Sequence, residues 1–309
     1  IIVTGGAGFI GANVVPDLLA DGHSVVVVDN FSRGSRELLP LNDQLEVKFG
    51  DIRNTTEMTA LIEGCDILLH LAAFGSVVES VMAPAENFSV NVGGTFSVLQ
   101  AAQASQVKRV ILASTGGALI GNCTTTVNEH SVPRPISPYG ASKLAGEGYG
   151  CAFANSYGME IIALRFANVI GPKCIHKTGA VANFFKAIID DQPITIFGDG
   201  SSSRDYIYVK DLSQGIRSAL YAQISGFNVF HLATGREISV RELAELCIKV
   251  SGKFDHTVRF EPKRDGEVDR IVGSYLLASK ELGFVPSHTI EESLAHTWEW
   301  FKQYYQSAR

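Results

Sequence analysis

The sequence predicts an α/β fold, a doubly wound parallel sheet with a smaller C-terminal α/β lobe, on three observations. First, short β-branched apolar runs alternate with helical stretches from Ile1 to about Gly121, the pattern of a parallel sheet covered on both faces. Second, the opening run enters Gly5-Gly-Ala-Gly-Phe-Ile-Gly11, where Gly6, Gly8 and Gly11 fit G-x-G-x-x-G and Gly5 adds the spacing G-x-x-G-x-x-G. Third, residues 24–28 form a second buried run that ends at Asp29, 18 residues past Gly11, where a ribose-binding carboxylate is expected in a dinucleotide-binding βαβ unit. Such a sheet is Rossmann-like. The glycines suit a tight turn that brings a diphosphate close to the backbone, where the next helix offers unpaired N–H groups and a partial positive charge.

Taken in order, strands are expected near residues 1–4, 24–28, 45–49, 67–71 and 107–114. Pro16 falls inside the first helix, where a lost hydrogen bond costs about 3 kcal/mol, so a kink is expected there. Strand three ends in Phe49-Gly-Asp-Ile52 and strand four in His70-Leu-Ala-Ala73, both on the carboxyl edge where open α/β sheets bind ligands. The small side chains of Leu71-Ala72-Ala73 suit either a flat ligand lying close to the backbone or helix packing. Residues 87–103 read as one long helix with Asn91 in its middle, a position more often turned to solvent than packed. Beyond a polar loop, Ser137-Pro138 reads as an N-cap followed by a first-turn proline, opening a helix that carries Tyr139 and Lys143.

After residues 163–168, Gly171-Pro172 breaks the alternation and a smaller lobe begins. Residues 205–233 are expected to return to the main sheet, so that 1–167 with 206–235 form the first unit and 168–205 with 236–309 the second. Two C-terminal helices start at capping boxes, Ser239-x-x-Glu242 and Thr289-x-x-Glu292. On the last helix Ile290, Leu294, Phe301 and Tyr305 share a face, which makes Trp298 a packing residue.

With 309 residues and 46% hydrophobic content the chain can bury a large core. A net charge of -6 and a pI near 5.8 argue against a nucleic-acid or anionic-membrane surface. No apolar segment approaches membrane-spanning length, and no signal peptide precedes the first strand. Five scattered cysteines without C-x-x-C fit a reducing, cytoplasmic setting, and the eight histidines show no metal-ligand spacing, so no metal is expected.

The chemistry points to Tyr139 and Lys143, one helical turn apart and therefore on one face. An ammonium beside a phenol favours the phenolate, and a positive nicotinamide would push the same way, bringing a group of ordinary pKa about 10 towards working pH as a general base. Ser114 and Thr115, at the end of the preceding strand, are candidates to hydrogen-bond a substrate oxygen and relay its proton.

Together with Thr4-Gly-Gly-Ala-Gly-Phe-Ile-Gly11 and Asp29-Asn-Phe-Ser-Arg-Gly34, the segments Gly50-Asp-Ile52, Tyr139-Gly-Ala-Ser-Lys143, Arg165-Phe-Ala-Asn168, Arg204-Asp-Tyr206 and Arg264-Asp-Gly-Glu267 cover nearly the whole length. The chain so read resembles the extended short-chain dehydrogenase/reductase family, and within it the nucleotide-sugar 4-epimerases. The resemblance implies NAD, held by Gly5, Gly8, Phe9, Ile10, Gly11, Asp29, Asn30, Ser32, Asp51, Ile52, Leu71, Ala72, Ala73, Asn91, Phe166, Tyr139 and Lys143. It implies a UDP-sugar substrate on Asn168, Val181, Phe197, Arg204, Arg264 and Glu267, with Arg204 and Arg264 suited to a diphosphate by their guanidinium forks. It further implies a homodimer built by helices 87–103 and 139–155. The activity implied is reversible oxidation at C4 through a transient 4-keto sugar, UDP-glucose/UDP-galactose being the first-ranked pair.

Two departures stand out. Family members usually read Ser-Ser-x-x-Val-Tyr-Gly after the fifth strand, whereas this chain reads Ser114-Thr-Gly-Gly-Ala-Leu-Ile-Gly121. Thr115 or Gly116 therefore takes the hydroxyl position according to the alignment, Thr115 being preferred because glycine has no hydroxyl, and Ile120 replaces a tyrosine. Related dehydratases carry Asp-Glu where Gly116-Gly117 stand, so elimination of water loses its acid and base. Asp29 opposes the 2′-phosphate of NADP, with Arg33 and Arg36 softening the effect. A catalytically silent cofactor-binding scaffold is disfavoured by the intact Tyr139 and Lys143. Lys173, His176 and Lys177 suggest either a solvated basic loop or attraction of a sugar C6 carboxylate, and Ile271 leaves room for N-acetylhexosamines.

Overall fold

The computed structural model describes residues 1–264 and 268–307. Strands β1 (Ile2–Thr4), β2 (Val25–Asp29), β3 (Leu45–Phe49), β4 (Ile67–His70), β5 (Arg109–Thr115) and β6 (Glu160–Phe166) belong to one sheet. Short strands β7 (Asn168–Ile170), β8 (Ile194–Phe197), β9 (Ser203–Arg204) and β10 (Tyr206–Tyr208) follow, then β11 (Phe227–Leu232), β12 (Ile238–Ser239), β13 (Val258–Glu261) and β14 (Arg270–Ile271). The first helices are α1 (Phe9–Ala20), α2 (Thr55–Ile62), α3 (Val77–Met82), α4 (Pro84–Phe88), α5 (Thr95–Ala104), α6 (Gly117–Ile120) and α7 (Pro138–Tyr157). The remaining helices are α8 (Ala180–Ile189), α9 (Val209–Tyr221), α10 (Val240–Ser251), α11 (Leu276–Leu282) and α12 (Ile290–Ser307).

The main sheet has seven parallel strands in the order β11-β6-β5-β4-β1-β2-β3. Val3 at its centre pairs with Val27 on one side and Leu69 on the other. The strand order reverses between β1 and β4, which opens a crevice at their carboxyl ends. Val14, Val15 and Leu18 of α1 and Leu212 and Ile216 of α9 bury one face of the sheet. Met58 and Ile62 of α2, Val98 and Leu99 of α5 and Phe153 of α7 bury the other. A third core, around Phe185, Leu243, Trp298 and Phe301, lies in the smaller lobe among α8, α10 and α12.

Pro16 lies inside helix α1, which runs from Phe9 to Ala20. The structure departs from the sequence reading in several places. The long helix at 87–103 is composite: α4 passes into a π-helical segment, Ser89–Gly94, before α5. The widened turn holds Asn91, which is buried rather than solvent-facing, with its amide tied to the loop after β4; π-turns commonly mark such places. Residues 206–208 pair with β7 outside the main sheet, although β11 does join it. Between the two capped helices lies a further helix, α11, whose Ala278 and Leu282 with Phe284 pack into the first core, so the boundary placed at 236 does not separate the cores. Both capping boxes form: the Glu242 N–H donates to Ser239 Oγ at 3.1 Å and that of Glu292 to Thr289 Oγ1 at 3.2 Å.

Candidate active site

Two cavities of about 410 and 400 Å³ meet along the carboxyl edge of the sheet, sharing Ile10, Ser114, Tyr139, Phe166 and Lys177 in their walls. The first lies over the glycine turn. A Cβ on Gly5 would come within 2.6 Å of the Ala72 nitrogen, and one on Gly11 within 2.5 Å of the Gly6 Cα, so the strand, turn and helix meet more closely than any side chain allows. Gly8 is the N-cap of α1 without a side-chain capping bond, which leaves the positive end of the helix facing the cavity that Gly8, Phe9, Ile10 and Gly11 line.

Asp29 is buried at the end of β2 and its carboxylate accepts from Ala7 N at 3.0 Å and Phe31 N at 2.8 Å. Burial raises its pKa, with the Phe31 and Ala7 N–H groups opposing the rise. Asp29 lines the cavity together with Asn30, Ser32, Asp51 and Ile52. Arg53 holds the Asp51 carboxyl down at about 2 through its hydrogen bonds. Arg33, weighed above as a softening charge, is bound at the surface to both carboxylate oxygens of Glu79. Leu71, Ala72 and Ala73 form the facing wall, so of their two readings the structure places them against the cavity. A cradle closed to side chains, an uncapped helix start and a carboxylate opposite fit a dinucleotide such as NAD.

Asn91 does not line this cavity. Its Oδ1 accepts from Phe74 N at 2.7 Å and its Nδ2 donates to Phe74 O at 3.2 Å and to Ser142 Oγ at 2.9 Å, so it clamps the loop that forms the wall. Ser80, which the sequence reading did not single out, accepts the Tyr139 N–H on its Oγ at 3.1 Å and positions the start of α7.

Tyr139 stands where the cavities meet and Lys143 lines the first of them, both presented by α7, whose N-cap Ser137 accepts from Gly140 N. Lys143 Nζ donates to Ala113 O at 2.8 Å. Burial pushes the Tyr139 phenol up to about 12 and the Lys143 ammonium down to about 8. Without the nicotinamide charge that the sequence reading joined to the lysine, burial sets the direction of the Tyr139 shift.

The two candidate hydroxyls divide. Ser114 Oγ donates to Glu147 Oε1 at 2.6 Å, and Glu147 forms a buried ion pair with Arg165 at 2.8 Å, so the Ser114 hydroxyl proton is engaged on the α7 side. Thr115, paired across β5 and β6 with Phe166, lines the second cavity. A Cβ at Gly116 would lie 2.9 Å from Nδ1 of buried His231, pointing inward, and one at Gly117 would meet Ile271 at 3.2 Å. Glu147 and Arg165 had no role in the sequence reading, yet Glu147 continues the Tyr139–Lys143 face by one more turn, and that spacing was visible.

The second cavity gathers Asn168, Val181, Phe197, Arg204 and Arg264 from the smaller lobe. The Arg264 guanidinium lies 3.4 Å from the centre of the Phe197 ring, and Arg204 donates to Ser203 O at 2.8 Å. Glu267 lies outside the described residues. Buried Asp205 ties this lobe's strap to the sheet edge, accepting from Thr234 N and Oγ1, Gly235 N and Gly273 N. Ile120 packs with Leu119, Val127 and Ile271 in a small core and does not shape the cavity. Lys173 turns away from the sugar side, its Nζ donating to Ala12 O at 2.8 Å and Leu38 O at 2.9 Å, so it carries no weight for a C6 carboxylate. Among the described residues no cluster of metal-ligating side chains occurs, and no helix is long and apolar enough to cross a membrane.

Residues 1–231 match the NAD dependent epimerase/dehydratase family. The chain is 36% identical over 309 residues to the UDP-glucose 4-epimerase of Mycolicibacterium smegmatis, covering 97% of this chain and 98% of that one. Among solved structures it is similar to the UDP-glucose 4-epimerase of Thermotoga maritima with UDP-glucose, at a TM-score of 0.94 and 36% identity over 98% of this chain and 99% of that one. It is also similar to a dTDP-glucose 4,6-dehydratase from Streptomyces venezuelae with NAD bound, at 0.93 and 29% over 98% and 96%.

Proposed function

The chain belongs to the NAD dependent epimerase/dehydratase family, and from that premise we propose that it is an isomerase interconverting UDP-hexoses at C4, with UDP-glucose and UDP-galactose as its pair. The observation that carries this is the placement of Tyr139 at the junction of the two cavities, with Thr115 on the sugar side and Lys143 on the cofactor side. NAD, which Gly5, Gly8, Gly11 and Asp29 would hold, would supply a reversible hydride acceptor for C4 and a positive charge that favours the phenolate.

The work left to the protein is proton transfer and positioning. Tyr139 Oη takes the proton of the C4 hydroxyl and gives it back, while Thr115 Oγ1 hydrogen-bonds the same oxygen. Lys143, held by Ala113 O, keeps a positive charge behind the phenol. Arg204 and Arg264 hold the substrate diphosphate at the far end, so the sugar turns about a fixed anchor. Gly117, Ala118, Ala180 and Ala182 leave room in the wall for that turn. Dehydration is disfavoured because Gly116 and Gly117 supply neither acid nor base, and their Cβ directions run into His231 and Ile271.

The sugar ranking rests on the relatives named UDP-glucose 4-epimerase. Lys173 is committed to backbone carbonyls, which leaves Lys177 as the lysine of this loop that borders the sugar cavity, and Ile271 leaves room for an N-acetyl group, so the uronate and N-acetylhexosamine pairs stand behind the plain hexoses as the alternatives. The expected result is a higher kcat/KM for UDP-glucose and UDP-galactose than for the UDP-N-acetylhexosamine or UDP-glucuronate pairs. A clear preference for either of the latter overturns the ranking.

The protein is further proposed to act as a homodimer. Val81, Met82, Phe88 and Tyr149 are exposed on α3, α4 and α7, an apolar surface beside the proposed helical interface. Analytical ultracentrifugation at micromolar concentration is expected to return twice the chain mass, and a monomer would count against the proposal.

A further inference from the structure

Five lysines and arginines line the cofactor cavity, and four are committed elsewhere. Arg33 is bound to Glu79, Arg53 to Asp51 and Glu86, Lys143 to Ala113 O, and Lys173 to Ala12 O and Leu38 O. The fifth, Lys177, has no hydrogen-bond or ion-pair partner for its ammonium among the described residues. Its Nζ lies 5.6 Å from the centre of the Phe9 ring, and it borders both cavities.

The loop that carries Lys177 is pinned across α1. Asn13 Nδ2 donates to Pro172 O at 2.9 Å, and the Lys173 ammonium reaches Ala12 O. These ties hold a half-buried ammonium beside Phe9, the first residue of the helix whose N-terminus no side chain caps. We propose that Lys177 is an anion anchor contributed from beyond β7 and that its ligand is the diphosphate of the bound dinucleotide, clamped between this ammonium and the N-terminus of α1. The substrate diphosphate already has Arg204 and Arg264 in the other cavity, whereas among the described residues that line the cofactor cavity no other lysine or arginine is uncommitted. Burial lowers the Lys177 pKa, and an anion brought up to it would reverse that shift. The inference rests on the first cavity being the NAD site, and it adds a means of retaining the cofactor through a catalytic cycle in which NAD is never consumed.

The test uses purified holoenzyme diluted into alcohol dehydrogenase and ethanol, so that released NAD is reduced and its release rate read by absorbance. Lys177→Met keeps the apolar stem on Phe9 and removes the charge. Release is expected to become about 10- to 100-fold faster, the size of one charge-assisted hydrogen bond, with UDP affinity measured by calorimetry unchanged. Lys177→Arg should restore slow release, which separates lost charge from lost packing. Wild-type release rates in Lys177→Met overturn the inference. So does a selective loss of kcat/KM for UDP-glucuronate without faster NAD release, which would place a sugar carboxylate on Lys177. Absence of NAD from the denatured wild-type protein would instead overturn the assignment of the cavity itself.

Discussion

Tyr139→Phe is expected to lower turnover of UDP-glucose by about 10²–10⁴-fold, the usual contribution of a positioned general acid–base group, while the protein still carries NAD. The phenol ring forms part of the wall shared by both cavities, and phenylalanine keeps that ring while removing the only atom that exchanges a proton. Thr115→Val removes one neutral hydrogen bond to the C4 oxygen and should cost about fivefold, from a net hydrogen-bond contribution of about 1 kcal/mol. The two variants should thus differ by at least an order of magnitude. Stopped assays of UDP-galactose formation, with bound nucleotide quantified on the same samples, check both. Near wild-type turnover in Tyr139→Phe would remove Tyr139 from its role.

The largest stability effect is expected at Glu147. Its carboxylate accepts from Arg165 Nε at 2.9 Å and Nη2 at 2.8 Å and from Ser114 Oγ at 2.6 Å, with all three side chains buried. Glu147→Gln leaves the Arg165 guanidinium buried without a counter-charge, a change that typically costs about 3–5 kcal/mol. Replacing both partners, as in Glu147→Leu with Arg165→Met, should recover much of the loss, since an apolar pair of similar volume needs no compensation. Thermal melting of the single and double variants decides this. If Glu147→Gln melted with the wild type, the pair would not be what braces β5, β6 and α7 beneath Thr115.

The sequence by itself determined the elements that are local in origin. The glycine turn, the β-branched strands and the caps at Ser137, Ser239 and Thr289 each depend on residues a few positions apart, and they appear in the structure at or near the predicted places. The Tyr139–Lys143 face is equally local, because helix geometry alone puts residues four apart together. The gathering of the glycine turn, Asp29, Leu71, Ala72 and Ala73 around one cavity follows from the parallel strand order that the alternation foretold.

What only the tertiary structure decided are the partners of groups far apart in the chain. Ser114 and Thr115 are chemically similar neighbours that both border the sugar cavity, yet docking of α7 ties the Ser114 hydroxyl to Glu147, while no such bond is found for that of Thr115 among the described residues. Lys173 and Lys177 sit in one loop, yet carbonyls more than a hundred residues away claim the first and leave the second at the cavity wall. The burial that shifts Tyr139 up and Lys143 down was not legible in their spacing, because desolvation depends on everything packed around a group, whereas spacing reports only its neighbours along the helix. Long-range burial and hydrogen-bond capture are set when separate elements dock, and no periodicity in the chain encodes which buried donor finds which acceptor.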